Sequence, residues 1–287
     1  MSRLCDYWAA LENKSVQCEL CPHRCKIEKG SFGLCSTRKN HEGKLIATGY
    51  GRASAIALDP VEKKPLYMYK QGKNILSIGG FGCNLHCPFC QNYEISLQPD
   101  ERQKIAKIID PEEVIILAKE TRNEGNIGIA YTYNEPLVGY EFVRDIAELA
   151  YESKLNNVLV TNGYINPEPL EALLPVIDAM NIDLKSFSDD FYKKVGGDLE
   201  SVKNTIELSY KHCHIEITTL IIPGENEDTI TELAKWLSSI NPEIPLHLSR
   251  FFPRYKYADR SPTSQDVIYN LQDKAKKYLK HVFTGNM

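Results

Sequence analysis

The sequence lacks the features that would assign it to a membrane, a secretory or a nucleic-acid-binding class. No apolar run in its 287 residues approaches the ~18–20 residues needed to cross a bilayer, so we expect no membrane partner. The stretch from Met1 to Trp8 lacks the apolar core of a secretory signal, which predicts a cytoplasmic protein. The formal charge is −4 and no long basic block occurs, so no nucleic-acid partner is expected.

The nine cysteines are unevenly spread along the chain. Seven of them fall into two tight groups, which is the pattern of metal or cluster binding. A disulfide framework is not expected in a large chain without an export signal. Cys5 and Cys213 stand apart in the sequence, and we expect each to be a small buried or half-buried apolar residue.

The group formed by Cys83, Cys87 and Cys90 carries the strongest chemical signal. A cubane iron–sulfur cluster normally takes four cysteine ligands, so a loop with three leaves one iron open to another ligand. Zinc and plain buried thiols are the alternatives. Structural zinc takes four ligands, usually from Cys-x2-Cys pairs, and here the fourth would have to be His86 or a distant residue.

The second group, Cys18, Cys21, Cys25 and Cys35, predicts a small metal-binding knuckle near the N-terminus. Glycines and a proline between these cysteines supply the tight turns that such a knuckle needs. Thiolate ligands suit both zinc and a second iron–sulfur cluster, so the residue types leave both open. His23 lies inside the knuckle and is an alternative ligand.

The chain is expected to divide into a cysteine-rich lobe, residues 1–72, and an α/β core, residues 73–287. In the core, short β-rich segments alternate with amphipathic helical segments, which predicts parallel strands joined by helical crossovers. Six strands are expected to begin near Ile75, Ile127, Asn157, Met180, His214 and Ile244. Residues 281–284 are a candidate for a short final strand.

Three helices have clear signatures in the sequence. Asp110, Pro111 and the two glutamates after them form a helix start, with a capping Asp, proline at the first position and acids near the positive end of the helix dipole. The second helix is indicated by apolar residues from Val138 to Leu149 at spacings that place them on one helix face. A third helix is expected to open at Asn226.

Polar motifs follow the predicted strands, where parallel α/β folds bind their ligands. The three-cysteine loop follows the first strand, and the next four strands are followed by Tyr131-Thr-Tyr-Asn-Glu-Pro136, Thr161-Asn-Gly163, Asp183-Leu-Lys185 and Ile222-Pro-Gly224. Each motif alone is weak, and the Asn-Glu-Pro stretch also reads as a polar turn. Their order on consecutive strands indicates one site. Arg250, Arg254 and Tyr255 are further candidates after the sixth strand, with a surface role as the alternative.

The spacing of Cys83, Cys87 and Cys90 resembles the cluster loop of the radical S-adenosylmethionine (SAM) enzymes, in which the fourth iron chelates the amino and carboxylate groups of SAM. The strand-end motifs resemble those of the pyruvate formate-lyase activating enzymes. A narrower resemblance, over nearly the whole chain, is to the "AmmeMemoRadiSam system" radical SAM proteins, which are relatives of those enzymes. It is carried by Cys18-x2-Cys-Pro-His-Arg-Cys25, Asp59-Pro-Val-Glu-Lys-Lys-Pro-Leu-Tyr67, the Tyr131–Pro136 motif and Arg250-Phe-Phe-Pro-Arg-Tyr255.

The resemblance implies an α/β fold built as a partial (β/α)6 TIM-like barrel with a small N-terminal metal-binding lobe. A doubly wound open sheet would give the same periodicity. It also implies that Phe89 lies near the adenine of SAM and that Tyr133, Asn134 and Glu135 hold its amino group.

The remaining expected SAM contacts come from the third and fourth strand ends. They are Thr161, Asn162, Asp183 and Lys185. Lys185 is suited to the SAM carboxylate as a point charge, and Asp183 and Asn162 to the ribose or a bound cation. Val160 stands where the activating enzymes usually carry the Asp of a monovalent-cation site, and Asn181 is a candidate to replace it.

The expected function is that of a radical SAM oxidoreductase. The resemblance implies a [4Fe–4S] cluster, SAM, a low-potential electron donor and hydrogen abstraction from an unidentified protein, peptide or small-molecule substrate. A glycyl-radical activase is one form of this activity. The alternative is a non-catalytic iron–sulfur or zinc protein that serves as an electron carrier or adaptor, which would explain the cysteines but not the strand-end motifs.

Overall fold

The computed structural model describes residues 3–97 and 106–287. Within these ranges the β-strands, in chain order, are β1 (Arg3–Leu4), β2 (Trp8–Ala10), β3 (Val16–Cys18), β4 (Lys26–Ile27), β5 (Arg38–His41), β6 (Lys44–Ala47), β7 (Arg52–Ala53), β8 (Ala55–Pro60), β9 (Asn74–Gly79), β10 (Lys107–Ile108), β11 (Asn126–Thr132), β12 (Asn156–Thr161), β13 (Ala179–Asp183), β14 (His214–Ile221), β15 (Leu246–Arg250) and β16 (Val282–Gly285).

The α-helices of the described residues are short and lie between the later strands. They are α1 (Tyr93–Ser96), α2 (Pro111–Glu120), α3 (Tyr140–Glu152), α4 (Pro167–Leu173), α5 (Asp189–Val195), α6 (Leu199–Tyr210), α7 (Ile230–Ile240) and α8 (Gln265–Ala275). At least one α-helix separates each pair of consecutive strands from β11 to β16. This is the alternation that the sequence predicts.

The main sheet has eight strands in the described part of the chain, in the order β16-β15-β14-β13-β12-β11-β9-β8. All neighbours from β9 to β16 are parallel, and β8 pairs antiparallel with β9. The six predicted strands are therefore neighbours in sequence order, and the candidate final strand is present as β16. The α/β class with a parallel sheet is confirmed, while closure into a partial barrel stays a prediction.

The N-terminal residues form two small antiparallel sheets, β1-β6-β5 and β2-β3-β4. The strand β8 lies before residue 73 but belongs to the main sheet, where it pairs with β9 along its whole length. The N-terminal segment is therefore continuous with the core sheet through β8. The division into lobes of residues 1–72 and 73–287 stays a prediction.

The three predicted helices are present, and their first residues follow from local capping and turns. Asp110 and Glu113 form a capping box at the start of α2. The second helix begins at Tyr140 instead of Val138, because a 3-10 turn, Pro136–Gly139, precedes it. Likewise α7 begins at Ile230, after a 3-10 turn over Glu227–Thr229.

The buried Glu216 on β14 ties the segment after β8 to the main sheet. Its carboxylate accepts hydrogen bonds from the backbone N–H groups of Tyr67 and Met68, at 2.9 and 2.7 Å, and lies 2.6 Å from the ring of His247. His247 is buried and packs against Tyr67. His247 thus has a structural role in the core.

In the described ranges, no helix combines the length and the apolar character needed to cross a membrane.

Candidate functional site

The cluster loop leaves β9 at Gly79 and is held by backbone hydrogen bonds. The N–H of Cys90 donates to the Cys87 carbonyl at 3.2 Å, and the N–H of His86 donates to the Val195 carbonyl at 2.8 Å. The His86 side chain is exposed, as expected for a residue that is not a ligand. Phe89 is buried beside Phe191 and Tyr257.

Burial disfavours the ionised form of the loop thiols. It raises the pKa of Cys87 to about 11 and also raises the pKa of Cys83 and Cys90. The positive charge of Lys185 opposes all three shifts, and its effect on Cys83 is small compared with that of burial. A thiolate is the form that binds metal, so a positive centre is needed to hold these side chains deprotonated. The donor set therefore fits an iron–sulfur cluster.

Glu135 joins the ends of β11 and β12. One carboxylate oxygen accepts from the Thr161 hydroxyl at 2.6 Å and from the Leu137 N–H at 3.1 Å, and the other accepts from the Asn162 N–H at 2.7 Å. Burial raises the pKa of Glu135 to about 7, against the lowering effect of these hydrogen bonds. Its carboxylate is thus a buried anchor between two strand ends.

Asn134 and Asn162 hold the cluster loop from the strand ends. The Asn134 side chain accepts from the Gly80 N–H at 2.9 Å and donates to the Phe81 carbonyl at 3.0 Å. The Asn162 amide donates to Cys83 Sγ at 3.6 Å. These contacts make the loop and the neighbouring strand ends one unit.

Lys185 and Asp183 form an ion pair at the end of β13, with 3.0 Å between Nζ and Oδ2. Burial alone would lower the pKa of Lys185, but the charges of Asp183 and Cys87 outweigh it and raise the pKa. Lys185 thus presents a fixed positive charge close to the cluster loop.

The residues predicted to bind the cluster and SAM line one cavity of about 390 Å³. It is lined by Cys83, Cys87, Phe89, Cys90, Tyr133, Asn134, Glu135, Thr161, Asn162, Asp183 and Lys185. The sequence motifs therefore do meet at one edge of the sheet. Their individual roles as cluster ligands and SAM contacts stay predictions.

Lys63 and Lys64 also line this cavity, and motif reasoning missed them. Lys64 pairs with Asp59 at 2.9 Å and lies 5.0 Å above the Tyr133 ring, whose hydroxyl donates to the same carboxylate at 2.9 Å. Tyr133 has a left-handed backbone, with φ of 74°. In the sequence these lysines belong to the Asp59–Tyr67 motif, but the motif does not indicate that their side chains reach the cavity.

Several candidates lie apart from the cavity lining. Arg250 donates to the Thr263 carbonyl, Arg254 lies over the ring of Tyr93, and Tyr255 stacks on that ring at 4.5 Å. Asn181 donates to the Pro65 carbonyl at 2.9 Å, while Val160 does line the cavity. The structure gives no support to Asn181 as a replacement ligand at a cation site.

The N-terminal cysteines Cys18, Cys21, Cys25 and Cys35 line a second, smaller cavity. Cys5 lies within electrostatic reach of Cys18 and Cys35, so it is close in space to a group from which the sequence separates it. Cys5 is buried and Cys213 is half-buried, as predicted. Among residues 3–97 and 106–287, no three His, Cys, Asp or Glu side chains converge closely enough to hold a metal ion.

Comparison with known proteins identifies the family. Residues 77–237 match the Radical SAM superfamily, and this stretch covers the cluster loop and the strand ends around the larger cavity. The chain belongs to the radical SAM superfamily. The cofactors of this superfamily are SAM and a [4Fe–4S] cluster, and its fold accounts for the parallel sheet.

Relatives of this radical SAM chain include activating enzymes. It is 40% identical to the uncharacterized protein MJ0808 of Methanocaldococcus jannaschii, over 98% of this chain and 84% of that protein. It is 25% identical to the pyruvate formate-lyase 1-activating enzyme of Escherichia coli K12, over 51% of this chain and 61% of that enzyme. Homology to activating enzymes is thus shown.

Among solved structures, Streptococcus suis SuiB bound to S-adenosylmethionine matches with a TM-score of 0.57 and 13% sequence identity. The match covers 71% of this chain and 48% of that chain. At this level of identity the likeness shows the fold alone.

Proposed function

We propose that the protein is a radical SAM oxidoreductase that binds a [4Fe–4S] cluster through Cys83, Cys87 and Cys90. The observation that carries this proposal is the single cavity in which these three thiols meet the polar groups of three consecutive strand ends. When bound, the cluster supplies the electron that splits SAM into methionine and a 5′-deoxyadenosyl radical, which abstracts hydrogen from the substrate.

The chain's own residues orient SAM and shield the reacting region. Lys185, fixed by Asp183, offers its ammonium group to the SAM carboxylate. Asn162 is held beside Cys83 and presents its amide to the same space. Phe89, on the same loop, gives an apolar surface for the adenine. These are positioning and water-excluding roles, while the cofactors supply the difficult chemistry.

The substrate is proposed to be a protein, a peptide or a small molecule. Sequence similarity to activating enzymes supports a glycyl-radical activase as one form of the activity. A low-potential electron donor is the partner that we propose, and we expect neither a nucleic-acid nor a membrane partner. Membership of the AmmeMemoRadiSam group, a cytoplasmic location and a partial (β/α)6 barrel are parts of the same proposal.

A second metal is the remaining cofactor that we propose. Its ligands are Cys18, Cys21, Cys25 and Cys35, which line one cavity. Zinc and a second iron–sulfur cluster both suit four thiolates.

A SAM titration of the reconstituted cluster tests whether one iron is open. The full chain is reconstituted anaerobically and reduced, and its electron paramagnetic resonance spectrum is recorded with and without SAM. We expect SAM to change the spectrum of the wild type and of a Cys213→Ala control. The Cys83/Cys87/Cys90→Ala variant should lack the SAM-responsive signal. A cluster spectrum that ignores SAM would instead favour the non-catalytic electron carrier.

A further inference from the structure

The second cavity is lined mostly by N-terminal residues, and not by thiols alone. Besides the four cysteines, its lining includes His23, Arg38 and Asn84. His23 Nε2 lies 2.7 Å from the Asn84 carbonyl oxygen, so this ring nitrogen is already engaged outside the cysteine group. The cysteines are therefore the more available donors.

Arg38 is the charged side chain of this cavity, and its side chain is 1% exposed. Its two terminal nitrogens donate to the Glu141 carboxylate at 3.2 and 2.9 Å, and one of them also donates to the Asp6 carbonyl at 2.7 Å. Glu141 is fully buried. Within residues 3–97 and 106–287, the Arg38 Nε–H has no hydrogen-bond partner. A buried donor without an acceptor is rare in folded proteins, so it points to an acceptor that is supplied from elsewhere.

The thiols that line the same cavity are the candidate acceptors for Arg38. Arg38 lies within electrostatic reach of Cys18 and Cys35 as well as of Cys5. Glu141 takes both terminal nitrogens of the guanidinium, so Nε is the nitrogen of Arg38 that remains for an acceptor at the cavity. Neutral thiols are weak hydrogen-bond acceptors, whereas metal-bound thiolates carry negative charge.

We infer that Cys18, Cys21, Cys25 and Cys35 form an anionic metal–thiolate centre that receives the free Nε–H of Arg38. The inference rests on the second metal proposed above and adds its charge partner. Four thiolates around Zn²⁺ or around an oxidised [4Fe–4S] cluster both leave a net charge of about −2, so the need for Arg38 is the same for either metal. In the described residues no three ligating side chains converge closely enough to hold a metal ion, so metal binding would have to draw these thiolates together around the cavity.

Asn84 connects this centre to the cluster loop. Its side-chain oxygen accepts from the Asn162 amide at 2.9 Å, and that amide also donates to Cys83 Sγ. On the other side, Asn84 lines the second cavity together with Cys21. Asn84 therefore lies between the second cysteine group and Asn162, the residue that contacts Cys83.

Metal counting in the full chain tests the centre independently of the SAM site. The Cys83/Cys87/Cys90→Ala variant should retain about one zinc or about four irons per chain, and metal and sulfide analysis distinguishes the two. A Cys25→Ser/Cys35→Ser change added to this variant should remove that metal. A folded Cys83/Cys87/Cys90→Ala variant that holds neither zinc nor iron would overturn the centre, whether or not the second variant folds.

This outcome is separable from the fate of the proposed function. A wild type that ignores SAM, together with a metal-loaded Cys83/Cys87/Cys90→Ala variant, would contradict the radical SAM activity and leave the second centre standing. The reverse pattern, a SAM response with no second metal, would contradict the centre alone.

Chelator competition tests the role of Arg38. Arg38→Gln/Glu141→Gln replaces the ion pair by neutral groups of similar shape, and we expect metal affinity to fall about 10–100-fold, the usual effect of removing an outer-shell partner. Lys44→Gln, on the exposed face of the same hairpin, should keep the wild-type affinity. Wild-type affinity in the Arg38/Glu141 variant would show that Arg38 does not serve the metal.

Discussion

Glu135 lines the larger cavity and joins the ends of two neighbouring strands by hydrogen bonds. Its three hydrogen bonds join β11 to β12, and its burial places its pKa at about 7. The sequence identifies Glu135 because the Asn-Glu-Pro motif follows a strand. It does not identify the pKa, because burial and the contacts to Thr161 and Asn162 depend on residues about 26 positions away.

The raised pKa of Glu135 predicts a pH-dependent stability of the cluster-free protein. The folded state holds this proton more tightly than the unfolded state, whose pKa is near 4.5. The stabilisation is therefore complete below that value and is lost as the pH rises through about 7, by about 3 kcal/mol. Urea unfolding near pH 5 and pH 8 should show this loss for the wild type and for an exposed Glu168→Gln control. Glu135→Gln should remove it, and an unchanged pH slope in Glu135→Gln would contradict the assignment.

Asp59 and Lys64 form a buried ion pair, and Lys64 lines the same cavity. The Lys64 side chain is 3% exposed and also lies over the Tyr133 ring. The sequence shows both residues in one motif, but Tyr133 is 74 positions further along the chain. Their convergence is set by the pairing of β8 with β9 and of β9 with β11, which local patterns do not reveal.

Removing the charge of Asp59 should destabilise the protein strongly. Asp59→Asn leaves the Lys64 ammonium buried without its anion, which typically costs about 3–5 kcal/mol. Adding Lys64→Met should restore most of that loss, because the unpaired charge is then gone. Lys63 is 66% exposed, and Lys63→Met should cost below about 1 kcal/mol. Equal unfolding free energies for Asp59→Asn and Lys63→Met would contradict the buried-pair account.

At the scale of elements, the cluster loop packs closely against the N-terminal segment at Gly82 and Cys35. Gly82, directly before Cys83, has a φ of +82°, and a Cβ there would lie 2.4 Å from the Cys35 carbonyl oxygen. The alternation of strands and helices could be predicted because it is local in sequence. The antiparallel β8 and this contact could not, since both join segments that are distant along the chain.

Gly82→Ala should separate the effect of this contact from that of backbone strain. Gly72 also has a positive φ, +73°, but a Cβ there would meet no atom within 4 Å. Gly72→Ala should therefore cost only the strain of about 1–2 kcal/mol and leave the iron content unchanged. Gly82→Ala should be less stable than Gly72→Ala and should bind less iron after reconstitution. Equal iron content in the two variants would show that the contact does not shape the cluster loop.

At the scale of the molecule, one parallel sheet places motifs from distant parts of the chain at one edge. The alternation of segments sufficed to predict the α/β class. The cysteine spacing and the order of strand-end motifs sufficed to predict a shared site, because the parallel strands of the main sheet are neighbours in chain order. The lysines from the β8 turn and the place of Arg38 beside the second cysteine group were not predictable, since they depend on packing between separate sheets.

The central claim is that this cavity generates a radical from SAM. The reconstituted full chain is incubated anaerobically with SAM and dithionite, and 5′-deoxyadenosine is quantified by liquid chromatography with mass spectrometry. The wild type should form 5′-deoxyadenosine, and the Cys83/Cys87/Cys90→Ala variant should form none above the protein-free background. No 5′-deoxyadenosine from a cluster-loaded wild type, or equal amounts from both proteins, would contradict the account.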